Sequence, residues 1–300
     1  MILENIFNLK GLGVNKNRLF LGGVIFCFLG VAGIQSGFTA PAPTGYILST
    51  HARCMMGRVA NKQWLMAKED EKLEANISTP GKYDLYSLKE SRTGEKATPL
   101  KRQGYPCDSY YYVDLKSDTQ GAYTALGGIN WNPVPRAVKH LNPNSAAYKK
   151  VVADFLKENG LVNPVIKIEN VLKTDIQGDG KDEVFIVATY FAKTHRGYNR
   201  GDTPLYSLKG EYSIVLFREV IDEKPVTRLV VGEIHLKDTL MPEPPSVAPN
   251  LYSINAILDV KGDGVMEVVV DDRITEGSGA GVYVLENNKF TRKLYCGCGY

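Results

Sequence analysis

Asp175-Ile176-Gln177-Gly178-Asp179-Gly180-Lys181-Asp182-Glu183 has a second version in the same chain, Asp259-Val260-Lys261-Gly262-Asp263-Gly264-Val265-Met266-Glu267. Both copies put acids at the first, fifth and ninth places, and both follow the fifth-place Asp with Gly. An apolar β-run comes next in each: Val184-Phe185-Ile186-Val187 in one, Val268-Val269-Val270 in the other. Acids at alternate loop positions can converge on a hard cation, and Gly permits the positive φ that turns them inward. The fold expected from this stretch is mainly β with one docked α-helix, a β-sheet domain built on two Asp-Gly loop and strand units.

The segments around the two loops fit that frame. Residues 165–172 lead into the first loop, and strands are expected at 184–191, 212–220 and 229–236. In the second unit 251–258 enters the loop and 268–270 leaves it. A hairpin bend through Glu276-Gly277-Ser278-Gly279-Ala280-Gly281 then connects to a strand at 282–285. Upstream, Tyr148, Val151, Val152, Phe155 and Leu156 recur at helical spacing between the cap candidates Asn144 and Ser145 and the closing Gly160. That stripe is the core face of a helix lying on a sheet. Residues 44–143 read as a β-hairpin region, with strands at 62–66, 82–88 and 97–102 and a short charged helix at 68–75. Residues 144–300 hold the helix and the duplicated loops, and 44–300 is expected to be one unit.

The D-x-x-G-D-G-x-x-E pattern followed by an apolar strand resembles the calcium loop of FG-GAP and VCBS-type repeats. The resemblance covers two loops and their flanking strands, and the second copy is degenerate. It implies oxygen ligands from Asp175, Gln177, Asp179 and Glu183, with the backbone carbonyl of Lys181, around Ca2+. In the second copy it implies Asp259, Asp263 and Glu267 alone, because Lys261 stands at the third place and its ammonium opposes a divalent ion. Two units of this size do not make a complete propeller, which needs four or more blades. Nor is the loop an EF-hand, since Ile186 takes the place of the closing Glu and a strand follows instead of a helix. Without an ion, both loops read as Asp-Gly turns held by hydrogen bonds.

Lys10, Lys16 and Arg18 precede an uncharged run from Leu19 to Ile34 that extends through Ala40, and Pro41-Ala42-Pro43 follows. This is the pattern of a signal peptide or an uncleaved signal anchor plus linker, residues 1–43, with a membrane contact through residues 19–40. The chain carries 36 Lys and Arg against 33 Asp and Glu, so it has no strong charge bias and no basic tract suited to nucleic acid. Cys54, Cys107, Cys296 and Cys298 lie outside that segment, an even number that suggests two disulfides in an exported protein. A bond between Cys296 and Cys298 would be strained across a single Gly in an extended chain. The favoured pattern therefore ties Cys54 and Cys107 to that pair.

The residues assemble no catalytic constellation. His51, His140, His195 and His235 are scattered, and the Gly-rich run around Ser278 matches neither a nucleophile elbow nor a dinucleotide loop. Asp182-Glu183 and Asp271-Asp272 are adjacent pairs, so on strands each pair splits between opposite faces. His195, Arg196, Tyr198, Arg200 and Asp202 make the polar insertion 193–210 a surface candidate for an anion, and Tyr110-Tyr111-Tyr112 offers aromatic faces to a sugar or simply alternates along a strand. Asn76-Ile77-Ser78 is a glycosylation sequon in a eukaryotic setting. The expected function is thus a membrane-anchored, secreted or periplasmic β-domain, an interaction or structural module with a Ca2+-stabilised loop. An envelope protein or a glycan is the expected partner. The alternatives are a glycan-directed hydrolase of the cell envelope and an accessory or inhibitor protein.

Overall fold

Val268, Val269 and Val270 are each at most 1% exposed, yet Val269 packs into one apolar cluster while Val268 and Val270 pack into another. Side chains alternate across a strand, so a continuous apolar run is what a strand covered on both faces requires. The computed structural model describes residues 44–69, 81–102, 104, 107, 110–115, 122–192, 206–239, 248–274 and 277–299. Within these residues the protein is mainly β, with three antiparallel sheets and one α-helix, and it is not a complete propeller.

The first sheet comes from β1 (Thr44–Ser49), β2 (Cys54–Ala60), β3 (Gln63–Met66), β4 (Lys82–Tyr86), β5 (Ser91–Lys96), β6 (Lys101–Arg102), β7 (Tyr111–Tyr112) and β8 (Thr124–Gly127). β8 returns between β4 and β1, giving the order β5-β4-β8-β1-β2-β7-β6, with β3 also on β2. The second sheet has β9 (Lys139–His140), β10 (Ile168–Thr174), β11 (Glu183–Tyr190), β12 (Tyr212–Ile221) and β13 (Lys224–Ile234) in simple sequence order. The third is a four-strand meander of β14 (Leu251–Leu258), β15 (Glu267–Ile274), β16 (Gly277–Glu286) and β17 (Lys289–Gly299). The helix α1 (Ala146–Glu158) covers the second sheet, with Val152 and Leu156 fully buried against Val171, Ile186 and Leu216. Gly160 ends it at φ +98°, where a side chain would be strained.

The layers therefore run α1, second sheet, third sheet, first sheet. One core joins the second and third sheets through Leu172, Phe185, Phe217, Ile257 and Val268. Another joins the third and first through Leu258, Val282, Ile47, Met56 and Leu126. Tight turns set the registers: Asn61-Lys62, Asp222-Glu223 and Asn287-Asn288 all take positive φ, the signature of two-residue hairpins that match strand twist. Cys54 bonds to Cys296 and Cys107 to Cys298, with Cα separations of 6.0 and 5.6 Å.

Several sequence expectations change. Residues 277–281 are not a bend but the first half of β16, paired with both β15 and β17. Glycine is needed because neighbouring side chains lie across the strand: a Cβ on Gly279 would collide with the Tyr295 hydroxyl and the Asp272 carboxylate. β13 starts at Lys224, well before the expected 229, because its hairpin with β12 is closed by two residues. Only a 3-10 turn, Ala67–Glu69, falls on the described part of the charged segment 68–75. The apolar segment 19–40, the sequon at Asn76, and His195, Arg196, Tyr198, Arg200 and Asp202 lie outside the described residues. Among the described residues no helix is long and apolar enough to cross a membrane.

Candidate metal centre and its second copy

The first Asp-Gly loop joins β10 to β11 and the second joins β14 to β15. The residue before the first Asp pairs with the ninth-place Glu in both, Thr174 with Glu183 and Leu258 with Glu267. The second-place residues Ile176 and Val260, 1% and 0% exposed, plug the loops into the cores on either side of the third sheet. Glycines at the fourth and sixth places have φ between +72° and +87° in both loops, a region closed to most side chains. This conformation turns successive N–H groups onto the first Asp.

Asp175 Oδ1 accepts from the N–H groups of Gly178 at 2.6 Å and Asp179 at 3.2 Å, and its Oδ2 accepts from Gly180 at 2.9 Å. Asp259 repeats this with Gly262, Asp263 and Gly264 at 2.6, 3.1 and 2.9 Å. Glu183 Oε2 accepts from Ile176 N–H, and Glu267 Oε2 from Val260 N–H, both at 2.8 Å. The loops also meet: Met266 N–H donates to Ile176 O at 2.8 Å.

A linker before the second sheet clamps both. Arg136 donates from Nε to Asp175 O and from Nη2 to Ile176 O at 3.1 Å and to Gly264 O at 2.6 Å. Trp131 donates from Nε1 to Asp259 O at 2.8 Å, and its ring lies against Gly262. Arg136 lies against Gly178 in the same way. The two side chains therefore do the same work on the two loops, each gripping the first-place carbonyl and covering the fourth-place glycine. The sequence shows this linker only as a turn-rich connection; its one signal is an aromatic and a cation placed at either end of Asn132-Pro133-Val134-Pro135.

The loops differ in charge. Carboxylate oxygens of Asp175, Asp179 and Glu183 lie within 4.8 Å of one another, and among the described residues no other three acid, His or Cys side chains converge like this. Gln177 and Lys181, the remaining residues expected at an ion, meet these acids as donors: Gln177 Nε2 is 3.3 Å from Glu183 Oε1, and Lys181 N–H is 2.9 Å from Asp179 Oδ1. The Lys181 ammonium is exposed and 3.9 Å from Asp179. In the second loop Lys261 Nζ sits 3.1 Å from Asp263 Oδ2 with both groups mostly covered, so that loop contains its own cation.

Protonation follows from these surroundings. Burial works to raise Asp175, but the three loop N–H groups and Arg136 outweigh it and hold the carboxyl below its usual range. Burial raises Glu183, opposed by the Ile176 N–H and the Gln177 amide and reinforced by the charges of Asp175 and Asp179. Glu267, 2% exposed, is pushed up to about 8 by burial, with Asp263 and Asp259 adding to the push. A site that crowds carboxylates around a raised glutamate favours whatever positive charge enters it.

No family model, no curated protein and no solved structure matches the chain.

Proposed function

We propose that this chain works outside the cytoplasm as an interaction or structural β module, not as an enzyme, and that Ca2+ closes its first Asp-Gly loop. The observation that carries the ion is the contrast between two loops of the same hydrogen-bonding pattern. One holds an ammonium at its third place, and the other holds Gln177 beside three converging carboxylates. Each carboxylate retains lone pairs beyond those used by the loop N–H groups. Turning the Gln177 amide brings its oxygen to the side where its nitrogen now stands, and water completes the six to eight oxygens that Ca2+ takes.

The two disulfides support an oxidising compartment. Residues 19–40 supply the membrane contact in this reading, whether retained or cleaved. The likeness of the loops to FG-GAP and VCBS-type repeats agrees with an ion that stabilises and does no chemistry.

The experiment is the thermal midpoint of the full chain in chelator, in millimolar Mg2+ and in millimolar Ca2+. A ligand specific for the folded state stabilises it by about 2.7 kcal/mol at a hundred times its dissociation constant. The expected outcome is a rise with Ca2+ alone that Asp179→Ala removes. Equal midpoints in all three media would overturn the ion.

A further inference from the structure

A groove of about 610 Å3 opens where strands and loops of all three sheets meet. Glu90 and Tyr123 border it from the first sheet, His140 and Asn170 from the second, and Asn255 and Asp271 from the third. Asp271 is 4% exposed, and its Oδ2 accepts from Asn255 Nδ2 at 2.8 Å. Its other oxygen, Oδ1, is buried with no hydrogen-bond partner. A buried acceptor left without a donor costs about 1–3 kcal/mol, and such a group in a native protein calls for a water or a ligand to complete it.

The surroundings of that oxygen are fixed. The Asn255 side chain is already engaged at both ends, its oxygen accepting from Thr124 Oγ1 at 2.9 Å and its nitrogen donating to Asp271 Oδ2, while its backbone carbonyl accepts from Leu88 N–H at 3.0 Å. Glu90 at the rim is oriented by the Tyr123 hydroxyl and by Arg92 at 2.8 Å. Across the groove Asn170 Oδ1 lies 3.2 Å from His140 Nδ1. Two carboxylates, the Lys89 ammonium, amides, a hydroxyl and an imidazole thus line one concavity.

We propose that this groove binds a saccharide, with Asp271 Oδ1 accepting from a sugar hydroxyl and Glu90, His140 and Asn170 meeting neighbouring hydroxyls at the rim. Sugars present closely spaced groups that donate and accept at once, which is what a mixed set of donors and acceptors recognises. Burial also pushes the Asp271 carboxyl up to about 7, making it a poor counter-ion for an amine. The inference rests on reading the chain as a binding module and not on an ion in the first loop.

The test follows the side-chain amide signals of Asn170 and Asn255 by NMR in the oxidised full chain. The probes are the soluble tetramers of glucose and of N-acetylglucosamine, with spermidine as the cationic comparison. The expected result is a saturable shift of both signals with at least one tetramer and none with spermidine. Asp271→Ala, which leaves no polar group at that position, should weaken that binding by about tenfold, the loss of one buried hydrogen bond. His140→Ala, at an exposed position, should weaken it by about threefold with an unchanged melt, and it serves if the buried substitution unfolds the protein. No saturable shift with either tetramer, binding indifferent to both substitutions, or a preference for spermidine would each overturn the proposal. The response of the melt to Ca2+ is a separate readout, so failure here leaves the first loop's reading standing.

Discussion

Asp175 and Asp259 each accept backbone hydrogen bonds from the fourth, fifth and sixth residues of their own loops, at distances that agree within 0.1 Å between the two copies. A shared backbone with unshared charge makes the third place, Gln177 against Lys261, the variable to exchange. Gln177→Lys is expected to bring the second loop's ammonium into the first. Its melt in chelator should match or exceed that of the parent, and added Ca2+ should no longer move it. Retention of the full Ca2+ response in this variant would sink the account of how the loops differ.

Arg136 holds three carbonyl groups from two loops that belong to different sheets. Hydrogen bonds from a charged donor contribute about 1.5–3 kcal/mol each, and water replaces part of this at a half-exposed site. Arg136→Ala is therefore expected to cost about 2–3 kcal/mol in urea unfolding. Arg136→Lys should recover little, since an ammonium cannot fork to the same carbonyls. A loss below about 0.5 kcal/mol, the range of ordinary surface substitutions, would mean that the clamp is not contributing to stability.

Stability should fall as pH rises from mildly acid to mildly alkaline, opposite to the usual behaviour of a paired carboxylate. Glu267 has a folded value of about 8 against an ordinary 4.5, so the folded state holds a proton that the unfolded state has released. That contribution is complete below the unfolded value and is lost as pH climbs through the folded one, with a slope of about 1.4 kcal/mol per pH unit for one proton. Asp271, at about 7, acts in the same direction. Urea midpoints of Glu267→Gln measured from pH 5 to pH 8 should flatten relative to the parent; parallel curves would refute the assignment.

The bond between Cys54 and Cys296 spans a sequence separation of 242 residues and lies in the core between the first and third sheets. Closing so long a loop in the unfolded chain is worth roughly 3–5 kcal/mol. Replacing both cysteines with Ala should lower unfolding stability by about that amount. Alkylation of the untreated protein should find neither thiol free.

Local chemistry explains what the sequence reveals. The Asp-Gly loops, the helix ending at Gly160 and the strands beside them are each specified by residues within one or two turns of chain. Residues 277–281 read as a bend because glycines in a row suggest a turn, whereas the cause is Tyr295 and Asp272 lying across β16 from its partner strands. Arg136 on the loops and Thr124 beside Asn255 are long-range contacts for which no spacing rule exists. Among the candidate ligands, Asp175, Asp179 and Glu183 do come together, while the orientations of Gln177 and Lys181 depend on hydrogen bonds that composition does not encode.

Cys54 and Cys107 are made early and must wait for partners at positions 296 and 298. In the exported chain proposed above, the two thiols precede their partners by 242 and 191 residues. The only correct partners emerge together, one glycine apart, on a strand that also completes the third sheet. Pairing them in swapped order differs by just two positions on that strand. In that setting pairing is a sorting problem for thiol exchange, and because Cys296 and Cys298 share one face of β17 it is settled by which position along that strand packs beside Cys54 of β2.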